Sequence, residues 1–257
     1  MQLVHVAPTH ITRDGLFVPP EGNGSSIAAY AELESIHGPL RAQVRFSLFD
    51  LNGTTAIATA TSQQATLPNA GTVTVSARIE PPPGAVKPWS TKQPNMYTVL
   101  AEVMAGGEAV VDSVRASVGF RTTTFSGAEG QPSFTLNGEP LHFRGFSHHN
   151  SIGGLGVAIP ERVQLFRVQA SRALGSNMWR MSHNPYDKAL YDLLDATGQM
   201  CWDENRDYGA KYMNGAYLVP VTRSEGGVRA QREDVLFLPE ADARCVVLRK
   251  HDVLASG

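Results

Sequence analysis

Three clusters of polar residues in the second half of the chain carry the side chains of a binding or catalytic site. The clusters are Ser147-His148-His149-Asn150, Arg180-Met181-Ser182-His183-Asn184-Pro185 and Asp203-Glu204-Asn205-Arg206. Each comes at the end of a short apolar run, and a β/α barrel builds its site from polar residues at the C-terminal ends of its strands. Imidazole, amide, guanidinium and carboxylate groups at such ends predict a site that hydrogen-bonds a polar ligand.

Asp203 and Glu204 are the carboxylate pair that stands out in these clusters. Adjacent residues of a strand point to opposite faces of the sheet, so the two groups cannot act jointly on one bond. We therefore expect neither of them to perform the chemistry directly.

A metal site and a phosphate site are the alternatives that these residues leave open. Four histidines could suggest zinc: His142, His148, His149 and His183. Neither His-Glu-x-x-His nor Cys-x-x-Cys spacing occurs, which disfavours zinc and makes a metal hydrolase the last-ranked class. The glycine cluster at 153–156 is not followed by Gly-Lys-Ser/Thr, which disfavours a phosphate cradle.

Strands and helices are expected to alternate around these clusters. The pattern predicts strands at 140–145, 177–181 and 200–202. It predicts one helix from Pro160 to Gly175 and a second that Asp187 caps and Gly198 ends. The apolar face of the first helix is predicted to consist of Val163, Phe166, Ala170, Ala173 and Leu174. This order is typical of parallel βαβ units, and the pattern fades after Gly209.

The first half of the chain has a period of two. Apolar and polar residues alternate over 40–48, 72–79 and 97–103, and Asn52-Gly53 is a strong hairpin signal. Several such strands predict an immunoglobulin-like β-sandwich over 1–124. The polar stretch 125–132 is predicted to be a linker, and 133–257 an incomplete barrel domain.

Composition excludes several classes of protein. The 257 residues carry a net charge of −2, which argues against a nucleic-acid partner. No run approaches the roughly 18 apolar residues of a membrane span, so no membrane partner is expected. The two cysteines, Cys201 and Cys245, cannot build a disulfide framework, and Cys201 is expected to be a buried small hydrophobe. The start of the chain lacks the features of a signal peptide. Compartment and oligomeric state are not predicted.

Five motifs in order along the chain resemble glycoside hydrolase family two, the family of β-galactosidases, β-glucuronidases and β-mannosidases. They are Pro94-Asn95-Met96-Tyr97, Val118-Gly119-Phe120-Arg121-Thr122, Phe134 through Gly145, Arg180 through Pro185, and Trp202-Asp203-Glu204-Asn205. The resemblance spans roughly 85 to 210. It implies a fold that is multi-domain β plus α/β, in which an immunoglobulin-like β-sandwich precedes the first part of a (β/α)₈ TIM barrel.

The same resemblance implies roles for single residues. His149 and His183 match histidines that contact sugar hydroxyls. Arg180 matches an arginine beneath the nucleophile, where a cation lowers a carboxyl pKa. Asp203 and Glu204 match a mainly structural pair that can also contact the substrate or a neighbouring loop. The predicted substrate-binding set is His149, Arg180, His183, Asn184, Asp203, Glu204 and Asn205.

Both catalytic carboxylates of such an enzyme are expected to lie outside this chain. A retaining glycosidase needs two carboxyl groups about 5 to 5.5 Å apart. In the family one follows an Asn after the fourth strand and the other lies near the seventh strand. The 257 residues contain no Asn-Glu dipeptide, and a full barrel needs about 250 residues. The prediction is a β-galactosidase-type hydrolase of O-glycosyl bonds, present as a fragment without catalytic residues and inactive alone. The alternative is a non-catalytic carbohydrate-binding or scaffold remnant.

A β-linked sugar is the predicted partner of the chain. No cofactor is predicted. Magnesium is possible by resemblance, but no ligands can be assigned to it.

Overall fold

The computed structural model describes residues 4–21, 24–36, 38–69, 71–126, 133–182 and 186–202. Within them the chain divides into two compact units. The first contains residues up to 87 and 96–120, and the second contains 88–95 and the residues from 121 onward. The domain limits predicted at 124 and 132 stay predictions. Residues 127–132 of the predicted linker and the chain from 203 onward lie outside the described residues.

The first unit consists of antiparallel strands in two sheets. The strands are β1 (Thr9–Phe17), β2 (Pro20–Glu21), β3 (Ser26–Ser35), β4 (Leu40–Asp50), β5 (Ala56–Thr61), β6 (Ala65–Leu67), β7 (Thr72–Ile79), β8 (Tyr97–Ala105) and β9 (Val110–Val118). One sheet has the order β1-β3-β2, with β7 also paired to β3; the other has the order β5-β4-β8-β9, with β6 paired to β4. The predicted β-sandwich is confirmed.

The core of the sandwich follows from the period of two in β4 and β8. The register pairs Val44 with Val103, and Phe46 lies opposite Ala101. All four side chains are fully buried. Each large one contributes about 1.5–3 kcal/mol by leaving water. The alternation read from the sequence therefore identified the buried face correctly.

The second unit begins with a small antiparallel sheet and continues as a parallel one. Its elements are β10 (Thr123–Ser126), β11 (Ser133–Leu136), β12 (Glu139–Pro140), β13 (Gly145–His149), α1 (Glu161–Ala173), β14 (Met178–Ser182), α2 (Lys188–Thr197) and β15 (Met200–Trp202). Strands β10, β11 and β12 form one sheet, and β13, β14 and β15 form another in that order. Both pairings of the second sheet are parallel, which confirms the predicted βαβ units.

The first parallel strand lies five residues later than predicted. Residues Glu139–Pro140 instead close a hairpin with β11, because Asn137 and Gly138 adopt φ of 54° and 82°, the left-handed conformations that a tight turn needs. Strand β13 then starts at Gly145, where a Cβ atom would lie 2.1 Å from the Met178 carbonyl oxygen. The histidines predicted to follow the strand are therefore part of it.

Helix α1 buries a different face from the one predicted. Gln164, Val168 and Ser171 are buried, whereas Phe166 and Leu174 are 68% and 75% exposed. The buried residues have the spacing i, i+4, i+7 of one helix face. Two of these three buried residues are polar. The prediction that the apolar residues form the buried face of α1 was therefore wrong.

Helix α2 begins and ends as predicted. The Asp187 Oδ1 atom accepts a hydrogen bond of 2.9 Å from the Leu190 backbone N–H, and Gly198 ends the helix at φ 74°. Leu190 and Leu194 are fully buried. The helix is thereby fixed at both ends between β14 and β15.

Candidate functional site

The parallel register brings the polar clusters of the first two strands to one edge of the sheet. His149 lies opposite Ser182 at the ends of β13 and β14, and Ser147 lies opposite Arg180. Because strand side chains alternate in direction, these four residues share one face. The structure therefore brings together His149 and Arg180, two of the predicted substrate-binding residues.

The other predicted site residues lie outside the described residues. Their roles in substrate binding stay predictions. They are His183, Asn184, Asp203, Glu204 and Asn205.

Two serines that sequence reasoning did not select hold the Arg180 guanidinium. Arg180 Nη1 donates to Ser147 Oγ at 2.7 Å and to Ser182 Oγ at 3.1 Å. The two hydroxyls are also hydrogen-bonded to each other. The signal that could have found them is their spacing, two residues before His149 and two after Arg180. With both hydroxyls fixing its orientation, the guanidinium can present its planar donors to oxygen atoms of a ligand.

The opposite face of the sheet is an apolar core against the two helices. Trp179 and Met181 are fully buried and pack in one cluster with Val168 and Leu190. Cys201 is 1% exposed in the same cluster, which confirms its predicted burial. This core packs both helices against the sheet.

His148 belongs to this apolar side of the sheet. Its ring stacks on Trp179 with the centroids 3.3 Å apart and the planes 8° apart. Neighbouring residues of a strand face opposite ways, so His148 and His149 have different environments although they are adjacent. The two histidines therefore do not act as one pair of ligands.

Two further side chains reach the strand ends from outside the sheet. Arg167 of α1 donates Nη2 to the His149 carbonyl oxygen at 3.1 Å, with its Cζ atom 5.5 Å from the Trp179 ring centroid. The Tyr186 hydroxyl donates to the His148 carbonyl oxygen. Sequence reasoning missed both residues, because an arginine inside a helix and a tyrosine before a helix cap belong to no motif.

The environment of His148 disfavours its charged form. Burial, and to a lesser degree the Arg167 guanidinium, lower the pKa of His148 from 6.5 to about 4. The unfolded chain therefore binds more protons than the folded chain between these two values. Stability is fully present above about pH 6.5 and falls as the pH drops toward 4.

Acidification is accordingly expected to destabilise the second unit through His148. Between pH 7 and pH 4.5 we expect a loss of about 1–2 kcal/mol, below the full linkage value because the ring is only partly shielded from water. His148→Phe keeps a ring against Trp179 and removes the titrating group. The stability that this variant loses between pH 7 and pH 4.5 should therefore be smaller. Urea unfolding followed by far-UV circular dichroism at both pH values measures the difference. Equal losses in both proteins would contradict the assignment.

Within the described ranges, no three His, Cys, Asp or Glu side chains are grouped as metal ligands would be. In the same part of the chain, neither helix has the length and apolar character to cross a membrane.

Comparison with family models gives two adjoining matches. Residues 9–121 match the model described as Glycosyl hydrolases family 2, and residues 130–225 match the model described as Glycosyl hydrolases family 2, TIM barrel domain. The matched residues extend on both sides of the 85–210 range that the motifs marked.

Individual proteins show the same similarity. The chain is 34% identical over 123 residues to beta-galactosidase BoGH2A of Bacteroides ovatus, covering 48% of this chain and 14% of that one. It is 27% identical over 126 residues to a beta-glucuronidase of Paenibacillus borealis, covering 49% of this chain and 20% of that one. The crystal structure of a glycosyl hydrolase family 2 member from Bacteroides cellulosilyticus matches with a TM-score of 0.69 and 27% identity, covering 81% of this chain and 28% of that chain. The chain spans a fifth or less of the length of these curated relatives.

Proposed function

Because the chain belongs to glycosyl hydrolase family 2, we propose that it supplies the sandwich and the first barrel strands of a retaining glycosidase acting on β-linked sugars. The proposal names the β-galactosidase type, following the motifs of the sequence. A β-glucuronide is the second sugar to test, since one of the relatives described above is a beta-glucuronidase.

The observation that carries the proposal is the shared face of His149, Arg180, Ser147 and Ser182 at the C-terminal ends of β13 and β14. This is the edge at which β/α barrels bind and transform their ligands. An imidazole and a guanidinium are suited to the hydroxyl groups of a sugar ring, because each offers donors or acceptors in a fixed direction, and the two serine hydroxyls fix the guanidinium. We assign the contact with sugar hydroxyls to His149.

Arg180 has two roles in this proposal. In the 257-residue chain its donors bind oxygen atoms of the sugar. In a complete barrel it would also face the nucleophile carboxylate, whose ionised form a neighbouring cation favours. The bonds to Ser147 and Ser182 hold the guanidinium in place for both tasks.

The second candidate function is sugar binding without hydrolysis. It is favoured by the lack of any Asn-Glu dipeptide in the 257 residues, because the family's acid/base glutamate follows an asparagine. Both functions place a sugar on the same face, and they differ in whether the glycosidic bond breaks. The 257-residue chain is proposed to bind the sugar and leave the bond intact.

Hydrolysis is therefore expected to be absent from the purified 257-residue chain. Incubated with nitrophenyl β-galactoside or nitrophenyl β-glucuronide, it should release nitrophenol no faster than buffer, because neither carboxylate required for retention is supplied. A complete β-galactosidase serves as the positive control. Turnover that scales with chain concentration and is lost in Arg180→Met would show that the chain contains its own catalytic carboxylates, contrary to the proposal.

A further inference from the structure

Two side chains from outside the sheet hydrogen-bond to backbone carbonyl groups at the ends of β13 and β14. Arg167 donates to the carbonyl oxygen of His149, the last residue of β13. The one hydroxyl proton of Tyr186 is shared between the carbonyl oxygen of His148 and, at 3.3 Å, that of Ser182, the last residue of β14. The Tyr186 hydroxyl therefore bridges the two strand ends.

Both donors are held firmly by their surroundings. Tyr186 is 8% exposed and packs in the cluster that contains Trp179. Arg167 lies over the Trp179 ring, and its Nη1 donates to Gln164 Oε1 at 3.2 Å. A cation above an indole and a buried phenol lose little additional freedom when they make one more bond, so these bonds restrict the backbone effectively.

The bonded carbonyl groups belong to the site residues themselves or to a direct neighbour. The carbonyl carbon and the side chain of His149 share one Cα atom, so a shift of the carbonyl turns the imidazole as well. The same holds for Ser182, which accepts a hydrogen bond from Arg180. Errors of about 1 Å in such positions can cost up to 100-fold in function.

We infer that Arg167 and Tyr186 are positioning residues, which fix the ends of β13 and β14 and thereby aim the imidazole of His149 at the sugar and hold the hydroxyl of Ser182 against the Arg180 guanidinium. The inference rests on the proposed function. Both residues pack against Trp179, on the face opposite His149 and Arg180, and both act through backbone carbonyl groups at the strand ends.

The test uses histidine-labelled 257-residue chain and two observables from one NMR sample. The first is the ring signal of His149 without ligand, assigned with His149→Gln. The second is the dissociation constant for methyl β-galactoside. Arg167→Met removes the bond to His149, Tyr186→Phe removes the bonds to His148 and Ser182, and Arg162→Met, an exposed arginine on the same helix, is the matched control.

Arg167→Met should shift the His149 ring signal and raise the dissociation constant about tenfold, and Tyr186→Phe about threefold. Arg167→Lys should recover part of the affinity, because it restores one charged donor but not the planar fork. If Arg167→Met fails to fold, Arg167→Lys and Tyr186→Phe carry the test. A purely structural role would lower the melting temperature and leave both observables unchanged in the folded variants, which would overturn the inference.

The outcomes separate this inference from the proposed function. Absence of sugar binding by the unaltered chain would defeat the proposed function. The unliganded His149 signal would still report whether Arg167 and Tyr186 position that ring. Unchanged His149 signals in both variants would defeat the inference even where the unaltered chain binds sugar.

Discussion

Replacing Trp179 with alanine is expected to destabilise the second unit by about 3–5 kcal/mol, a loss comparable to the whole stability of many small domains. Trp179 is fully buried at the centre of the sheet. It supports the His148 ring on one side and lies beneath the Arg167 guanidinium. Alanine would leave a cavity under β13, β14 and α1 together.

Far-UV circular dichroism near 222 nm is the measurement for this change, because both described helices belong to the second unit. Urea unfolding of Trp179→Ala should show a helical signal that is lost at far lower denaturant than in the unaltered chain. Trp179→Phe keeps an aromatic ring, so its loss of stability should be smaller than that of Trp179→Ala. Phe166→Ala is the control, because Phe166 is 68% exposed and its removal should change stability by no more than about 0.5 kcal/mol. Equal midpoints for Trp179→Ala and Phe166→Ala would contradict the described packing.

Replacing Arg180 with methionine is expected to weaken sugar binding about 10- to 100-fold. The variant loses a charged donor, which is worth about 1.5–3 kcal/mol when it bonds a ligand. It also loses the bonds that hold Ser147 and Ser182 in place. Arg180→Lys keeps the charge but loses the planar guanidinium, so its affinity for the sugar should lie between those of the unaltered chain and of Arg180→Met.

NMR titration with methyl β-galactoside and with methyl β-glucuronide measures the effect of this change. Arg115→Met, an exposed arginine of the sandwich, is the control and should bind as the unaltered chain does. The folded state of Arg180→Met is verified from its amide spectrum. Undiminished affinity of folded Arg180→Met for both sugars would remove Arg180 from the site.

The parts of the fold that sequence reasoning predicted correctly are those in which one simple pattern dominates. In β4, Val44 and Phe46 alternate with polar residues and are buried as predicted. In α2, the Asp187 cap and the Gly198 end are local signals that depend on a few neighbouring residues. Elements that depend on such local signals can be predicted from the sequence alone.

The misplaced elements are those in which tertiary contacts override the local pattern. Strand β13 is mostly polar and was predicted too early, because its position depends on the close approach of Gly145 to Met178. Helix α1 buries Gln164 and Ser171 and exposes Phe166, the reverse of what hydrophobicity indicates. The start of β13 and the buried face of α1 are determined by contacts with residues that are distant in sequence.

The candidate site divides in the same way. His149 and Arg180 could be selected because they match family motifs, and the register of β13 and β14 places them on one face. Arg167 and Tyr186 could not be selected, and Ser147 and Ser182 could have been found only through their spacing from His149 and Arg180. The roles of all four arise from hydrogen bonds across strands or to a strand end, and arginine and tyrosine at these positions have no distinctive local signature.

Titration of the unaltered 257-residue chain with methyl β-galactoside and methyl β-glucuronide tests the central claim most directly. The account predicts saturable shifts of the His149 ring signal with at least one sugar. The dissociation constant should be on the order of 1–10 mM, as suits a few hydrogen bonds to one sugar ring. No shift of the His149 signal with either sugar, at concentrations up to about 100 mM, would contradict the claim that this sheet edge binds sugar.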